Sequence, residues 1–97
     1  MIDSTNQFKL QDMLTRGAFA KLLVDLIHLK PRYKKSIFYN DVTNKHPFYE
    51  SIKKLSQAGI LKGDHMQNFY PDQPITKLEA VICLAKANSK QKSLSPF

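Results

Sequence analysis

Apolar residues recur at helical spacing in three places along the chain. Phe19, Leu22, Leu23, Leu26 and Ile27 follow an i, i+3, i+4, i+7, i+8 pattern, which predicts one apolar stripe on a helix. Thr15 stands just before that run as its N-cap, its hydroxyl accepting a bond from a first-turn amide. Leu14 and Phe19 bracket the cap as a hydrophobic staple, and Pro31 stops the helix. Phe48, Ile52 and Leu55 predict a second helix, with Pro47 in its first turn. Gly59 ends it as a left-handed cap, and Ile60 and Leu61 turn back into the core. Thr76 opens a third helix whose stripe is Leu78, Val81, Ile82 and Ala85. Glu79 completes a reciprocal capping box with Thr76.

The first and third helices begin alike. Leu14-Thr15-Arg16 and Ile75-Thr76-Lys77 lie 61 positions apart, and the same offset carries Phe8 onto Phe69 and Leu23 onto Leu84. A fixed offset held at several positions marks an internal repeat. Between the helices, residues 30–46 read as a basic connecting segment. "NFYPDQP", residues 68–74, reads as a rigid, mostly extended connection limited by two prolines. Residues 1–7 and 88–97 read as polar tails.

The 97 residues suffice for one domain. Fifteen Lys+Arg against eight Asp+Glu give a net charge of +7, which favours anionic partners: acidic polysaccharide, nucleic acid or an anionic surface. The lone Cys83 excludes an internal disulfide and reads as a small buried residue. His28, His46 and His65 show no metal spacing; His46 reads as a helix-start residue. No metal or cofactor is expected. No nucleophile elbow, phosphate loop or Cys–His signature is present, so the chain does not read as an enzyme. No stretch is apolar enough to cross a bilayer, and residues 1–7 carry no secretory signal pattern.

Five elements in order resemble an S-layer homology domain. They are Tyr39-Asn40-Asp41-Val42, the helix start His46-Pro47-Phe48-Tyr49, Gly59-Ile60-Leu61-Lys62-Gly63, Phe69-Tyr70-Pro71, and Ile75-Thr76-Lys77-Leu78-Glu79-Ala80. Residues 31–87 resemble one complete repeat, and 8–30 the back half of a preceding one. The resemblance implies an all-α bundle of about three helices over residues 8–87, joined by ordered loops. It further implies a noncatalytic bacterial cell-envelope module that attaches to anionic secondary cell-wall polysaccharide. In the family three repeats gather around a pseudo-threefold axis, so self-association completing the assembly is a further expectation.

By that analogy Arg16 and Lys77 are the leading ligand residues. Lysine lacks the planar fork of arginine, so the carboxylate grip at position 77 is expected to be weaker. Two cations against the helix dipole suggest either an anion held beside first-turn amides or solvated residues that tolerate a small penalty. Asp41, Tyr39 and Gly63 are further candidates, although Asp41 as a turn brace and Gly63 as a conformational residue are the plainer readings. Tyr33, Tyr39, Tyr49 and Tyr70 are expected to be partly exposed and able to stack on sugar, whereas Phe19, Phe48 and Phe69 are expected in the core. Thr15, Thr76, Glu79 and Gly59 read as structural caps. A protein-interaction module that keeps the fold is the alternative function, and nucleic-acid binding a weaker one, since no reading helix is evident. The expected location is the cell envelope for a piece of a larger protein, or the cytoplasm if Met1 is the native start.

Overall fold

The computed structural model describes residues 14–30 and 37–94, with side chains through Ser89. Readings that fall on Phe8, Tyr33, residues 1–7 and the basic run 31–36 lie outside the described residues. Three helices follow in order: α1 (Arg16–Ile27), α2 (Tyr49–Gln57) and α3 (Lys77–Leu94). Among the described residues there is no strand, only the isolated bridges Thr15–Pro74 and Tyr39–Val42. The fold is a small all-α bundle.

Each boundary has a local cause. The Thr15 hydroxyl accepts from the Ala18 amide at 3.0 Å, and α1 closes at His28, which adopts a left-handed φ of 52°. Gly59 has φ 76°. The amide of Gly59 bonds the Ser56 carbonyl (3.0 Å) and that of Ile60 bonds Leu55 (2.9 Å), which is a Schellman closure of α2. At α3 the Glu79 amide donates to the Thr76 hydroxyl (3.0 Å) and the Thr76 amide to the Glu79 carboxylate (3.3 Å). The capping roles assigned to Thr15, Thr76, Glu79 and Gly59 are therefore present in the fold. Pro47 precedes α2 instead of joining its first turn, with Phe48 as N-cap. Nearby the His46 Nδ1 accepts from the Phe48 amide at 3.0 Å. Residues 88–94 continue α3 and are not a tail.

Phe69, Leu23, Ile52, Leu55, Ile60, Ile75 and Cys83 are the largest fully buried apolar side chains. Phe19 joins them, with Phe48 half-buried against the cluster. Helix α1 packs mainly on α2 and touches α3 more lightly.

The predicted stripes are only partly right. On α1 Phe19 and Leu23 are buried, but Leu22 and Leu26 are exposed, and Ala20 and Val24 take their place inside. On α3 Leu78, Val81, Ile82 and Ala85 all face outward, while Ala80, Cys83 and Ala87 are buried. The repeat offset explains this. Segment 37–75 lies between the two helices, so each turns a different side toward it. Cys83 and Ala87 are buried where their counterparts Leu22 and Leu26 are exposed. Ala20 and Leu23 are buried where their counterparts Val81 and Leu84 are exposed. Only Phe19 and its counterpart Ala80 are inside in both helices.

Candidate binding cleft

The loop 70–75 straps across the start of α1. The Arg16 amide bonds the Gln73 carbonyl (2.8 Å), the Gly17 amide bonds Pro71 (2.9 Å), and the Ile75 amide bonds Leu14 (3.0 Å). The first-turn donors of α1, which a helix leaves unpaired by itself, are thus taken by carbonyls and by the Thr15 hydroxyl. They are therefore not free to hold an anion, contrary to the expectation for this helix start.

The Arg16 side chain is only 7% exposed. Its Nε donates to the Phe69 carbonyl at 2.8 Å, one terminal nitrogen to the Lys62 carbonyl at 3.0 Å, and the other to the Glu79 carboxylate. The guanidinium sits 4.7 Å over the Phe69 ring, a cation–π contact. Arg16 is the strut that ties α1 to the 62–69 loop and to α3.

Asp41 is a brace. Its two oxygens accept from the amides of Phe69 (2.9 Å) and Tyr70 (2.8 Å). Tyr39 is buried, not partly exposed as expected. Its hydroxyl donates to Ser56 Oγ (2.9 Å) and accepts from the Gly63 amide (3.0 Å), while Ser56 donates to the Leu61 carbonyl at 3.0 Å. Its ring tilts against Phe69 with centroids 5.3 Å apart. Gly63 is demanded by close approach: a Cβ there would lie 2.3 Å from the Asn68 carbonyl oxygen and 2.7 Å from the Tyr39 ring.

Asp64 organises the next turn. Its Oδ1 accepts from the Met66 amide (2.9 Å) and the Asn68 amide (3.0 Å), and its Oδ2 from the Tyr70 hydroxyl (2.6 Å). That hydroxyl, followed by the Asn68 amide, holds the Asp64 carboxyl below its ordinary value, and the same bond raises the Tyr70 phenol. Tyr70 has φ 62°, a left-handed backbone that is unusual for a bulky residue. The 68–74 connection is therefore bent at Tyr70, not extended.

Together these groups enclose an open cleft of about 320 Å³, lined by Arg16, Lys62, Gly63, Asp64, Tyr70, Gln73, Pro74, Thr76 and Glu79. A second groove of about 340 Å³ adjoins it across Lys62–Asp64, with Phe38 and His65 on its walls. Arg16 and Gly63 thus meet in one cleft. Asp41 and Tyr39 stand behind it, and Lys77 is exposed outside its lining. Sequence reasoning missed Lys62 and Asp64 as cleft residues. Among the described residues no group of His, Cys, Asp and Glu could hold a metal ion. Burial pushes the Cys83 thiol up to about 11, which fits the buried apolar role read for it.

Residues 38–81 match the family model of the S-layer homology domain. The match spans all five elements that carried the resemblance, and it associates this segment with cell-wall-binding modules of the cell envelope. No curated protein matches the chain.

Proposed function

We propose that the chain is a noncatalytic binding module of the cell envelope, and that it holds an anionic cell-wall polysaccharide in the cleft between segments 62–64 and 70–76. The observation that carries this reading is the lining of that cleft. Lys62 offers an exposed ammonium, Tyr70 a half-exposed ring, and Asp64 and Thr76 polar oxygens, all over an Arg16–Glu79 floor. A cleft of this size lies at the lower end of small-ligand sites. It suits one sugar unit of a chain that continues along the surface.

Each residue then has a role. Lys62 meets the acidic group, aided at longer range by the overall charge of +7. Tyr70 offers its face to the sugar ring. Asp64 and Thr76 accept hydrogen bonds from sugar hydroxyls. Arg16 neutralises Glu79, so that the floor does not repel an anion. Asp41, Tyr39 and Gly63 act by fixing the shape of the wall. Lys77, one residue beyond Thr76, adds a second cation outside the cleft.

Co-sedimentation with purified sacculi, before and after the polysaccharide is stripped, tests this. The bound fraction falls on stripping, and falls likewise for Lys62→Glu on intact sacculi. Equal retention on stripped sacculi overturns the reading.

A further inference from the structure

The cleft and the groove beside it share Lys62, Gly63 and Asp64 in their linings, and they are nearly equal in size, about 320 and 340 Å³. Each has one exposed aromatic ring on its wall: Tyr70 is 39% exposed in the cleft, and Phe38 is 66% exposed in the groove. A glycan that fills the cleft with one sugar can pass its next sugar across the shared border without leaving the surface. We propose that the second groove is a subsite for that neighbouring sugar, a neutral one, so that the recognised ligand is at least a disaccharide. The inference rests on the reading of the cleft as a polysaccharide site.

The walls of the groove are tied to one another by the fold. The Asn40 amide donates to the Gln67 carbonyl (2.8 Å), and the Asn40 side-chain nitrogen to the Met66 carbonyl (3.0 Å). The segment 37–40, which carries Phe38, is thereby pinned to the turn 64–68. The bond from the Gly63 amide to the Tyr39 hydroxyl (3.0 Å) fixes the wall between them. A wall already in place spares a ligand the cost of ordering it. Each hollow is also bordered by a left-handed residue that is not glycine: Tyr70 (φ 62°) on the cleft and Gln67 (φ 67°) on the groove. Such a backbone is uncommon for side chains of this size and collects at ligand clamps.

Charge selects a neutral occupant. Lys62 is the one lysine or arginine on the lining of the groove, and the acidic group in the cleft already engages it. Asp64 stands beside it, tied into the turn by the Met66 and Asn68 amides and the Tyr70 hydroxyl. A second acidic sugar meets that carboxylate with no further lysine or arginine to offset it, and like charges in contact are costly. Phe38 instead gives a flat face to the apolar C–H side of a neutral sugar, with the exposed Gln67 and His65 side chains placed for its hydroxyls.

NMR titration of the nitrogen-15-labelled chain tests this, with two size-fractionated products of purified acidic cell-wall polysaccharide: the acidic monosaccharide, and a disaccharide joining it to its neutral neighbour. The monosaccharide shifts the amides of Lys62, Tyr70 and Thr76. The disaccharide shifts these and also Phe38, His65 and Gln67, and binds about tenfold tighter. Phe38→Ala, at an exposed position, weakens the disaccharide about fivefold or more, while the monosaccharide affinity and the circular dichroism match the parent chain. Phe38→Tyr keeps the gain. A disaccharide that shifts the cleft and leaves Phe38, His65 and Gln67 unmoved overturns the subsite and leaves the cleft standing. So does a disaccharide affinity indifferent to Phe38→Ala. Shifts at Phe38 that follow protein concentration without sugar put a second copy in the groove and overturn it likewise. Sugars that shift no amide in either place overturn both readings.

Discussion

Replacing Arg16 with alanine removes the group on which three segments converge. The change leaves the Phe69 and Lys62 carbonyls without their donors and the Glu79 carboxylate without its cation. Losing one partner of a buried charge pair costs about 3–5 kcal/mol. The Glu79 side chain is 37% exposed, so water recovers part of its solvation, and the lower end applies. The Lys62 carbonyl, on a residue that lines the cleft, regains water in part, whereas the Phe69 carbonyl belongs to a buried bond. The expected loss is about 3 kcal/mol, a large share of the stability of so small a domain. Urea unfolding followed by circular dichroism reads it as a lower midpoint with an unchanged slope. Arg16→Lys keeps the charge but reaches fewer acceptors, and falls between the two. A double-mutant cycle with Glu79→Ala gives a coupling above about 1 kcal/mol. A loss under about 1 kcal/mol for Arg16→Ala, with no coupling to Glu79, would refute the strut and with it the account of how α1 is held.

Other consequences follow from the same geometry. Gly63→Ala forces a methyl against the Asn68 backbone and lowers stability by about 2 kcal/mol, seen as a lower thermal midpoint. Tyr70→Phe deletes the main bond that lowers Asp64, so carbon-detected NMR titration finds the Asp64 carboxyl titrating at higher pH than in the parent chain. Cys83, raised from 9.0 to about 11 by burial, favours the fold while it stays a neutral thiol. Its contribution is full below pH 9 and is lost as pH rises toward 11, so Cys83→Ala flattens the alkaline limb of stability against pH, and thiol labelling at pH 8 is slow until the chain is unfolded.

The caps were legible because they are local. A threonine before an apolar run, a glutamate three positions on, and a glycine after a helix each solve a short-range backbone problem, and Thr15, Thr76, Glu79 and Gly59 do what their spacing implied. The faces were not legible. Periodicity says that α3 has an apolar stripe but not which neighbour meets it, and small Ala80, Cys83 and Ala87 were chosen inside over larger Leu78, Val81 and Ile82. Close packing against segment 37–75 accounts for that choice: small residues let the helix approach. The cation at Arg16 was noticed for a sound reason, its poor fit to a helix N-terminus. Its partners lie at Lys62, Phe69 and Glu79, far along the chain, so only the fold reveals that it is a strut. Lys62 and Asp64 were overlooked because nothing in a turn sequence tells which side chains will border a cleft.

The most direct measurement is an NMR titration of the nitrogen-15-labelled chain with purified acidic cell-wall polysaccharide. The account predicts saturable shifts at the amides of Lys62, Gly63, Asp64, Tyr70 and Thr76, with the α3 stripe unmoved. Shifts confined to other surfaces, or none at any concentration, would contradict it.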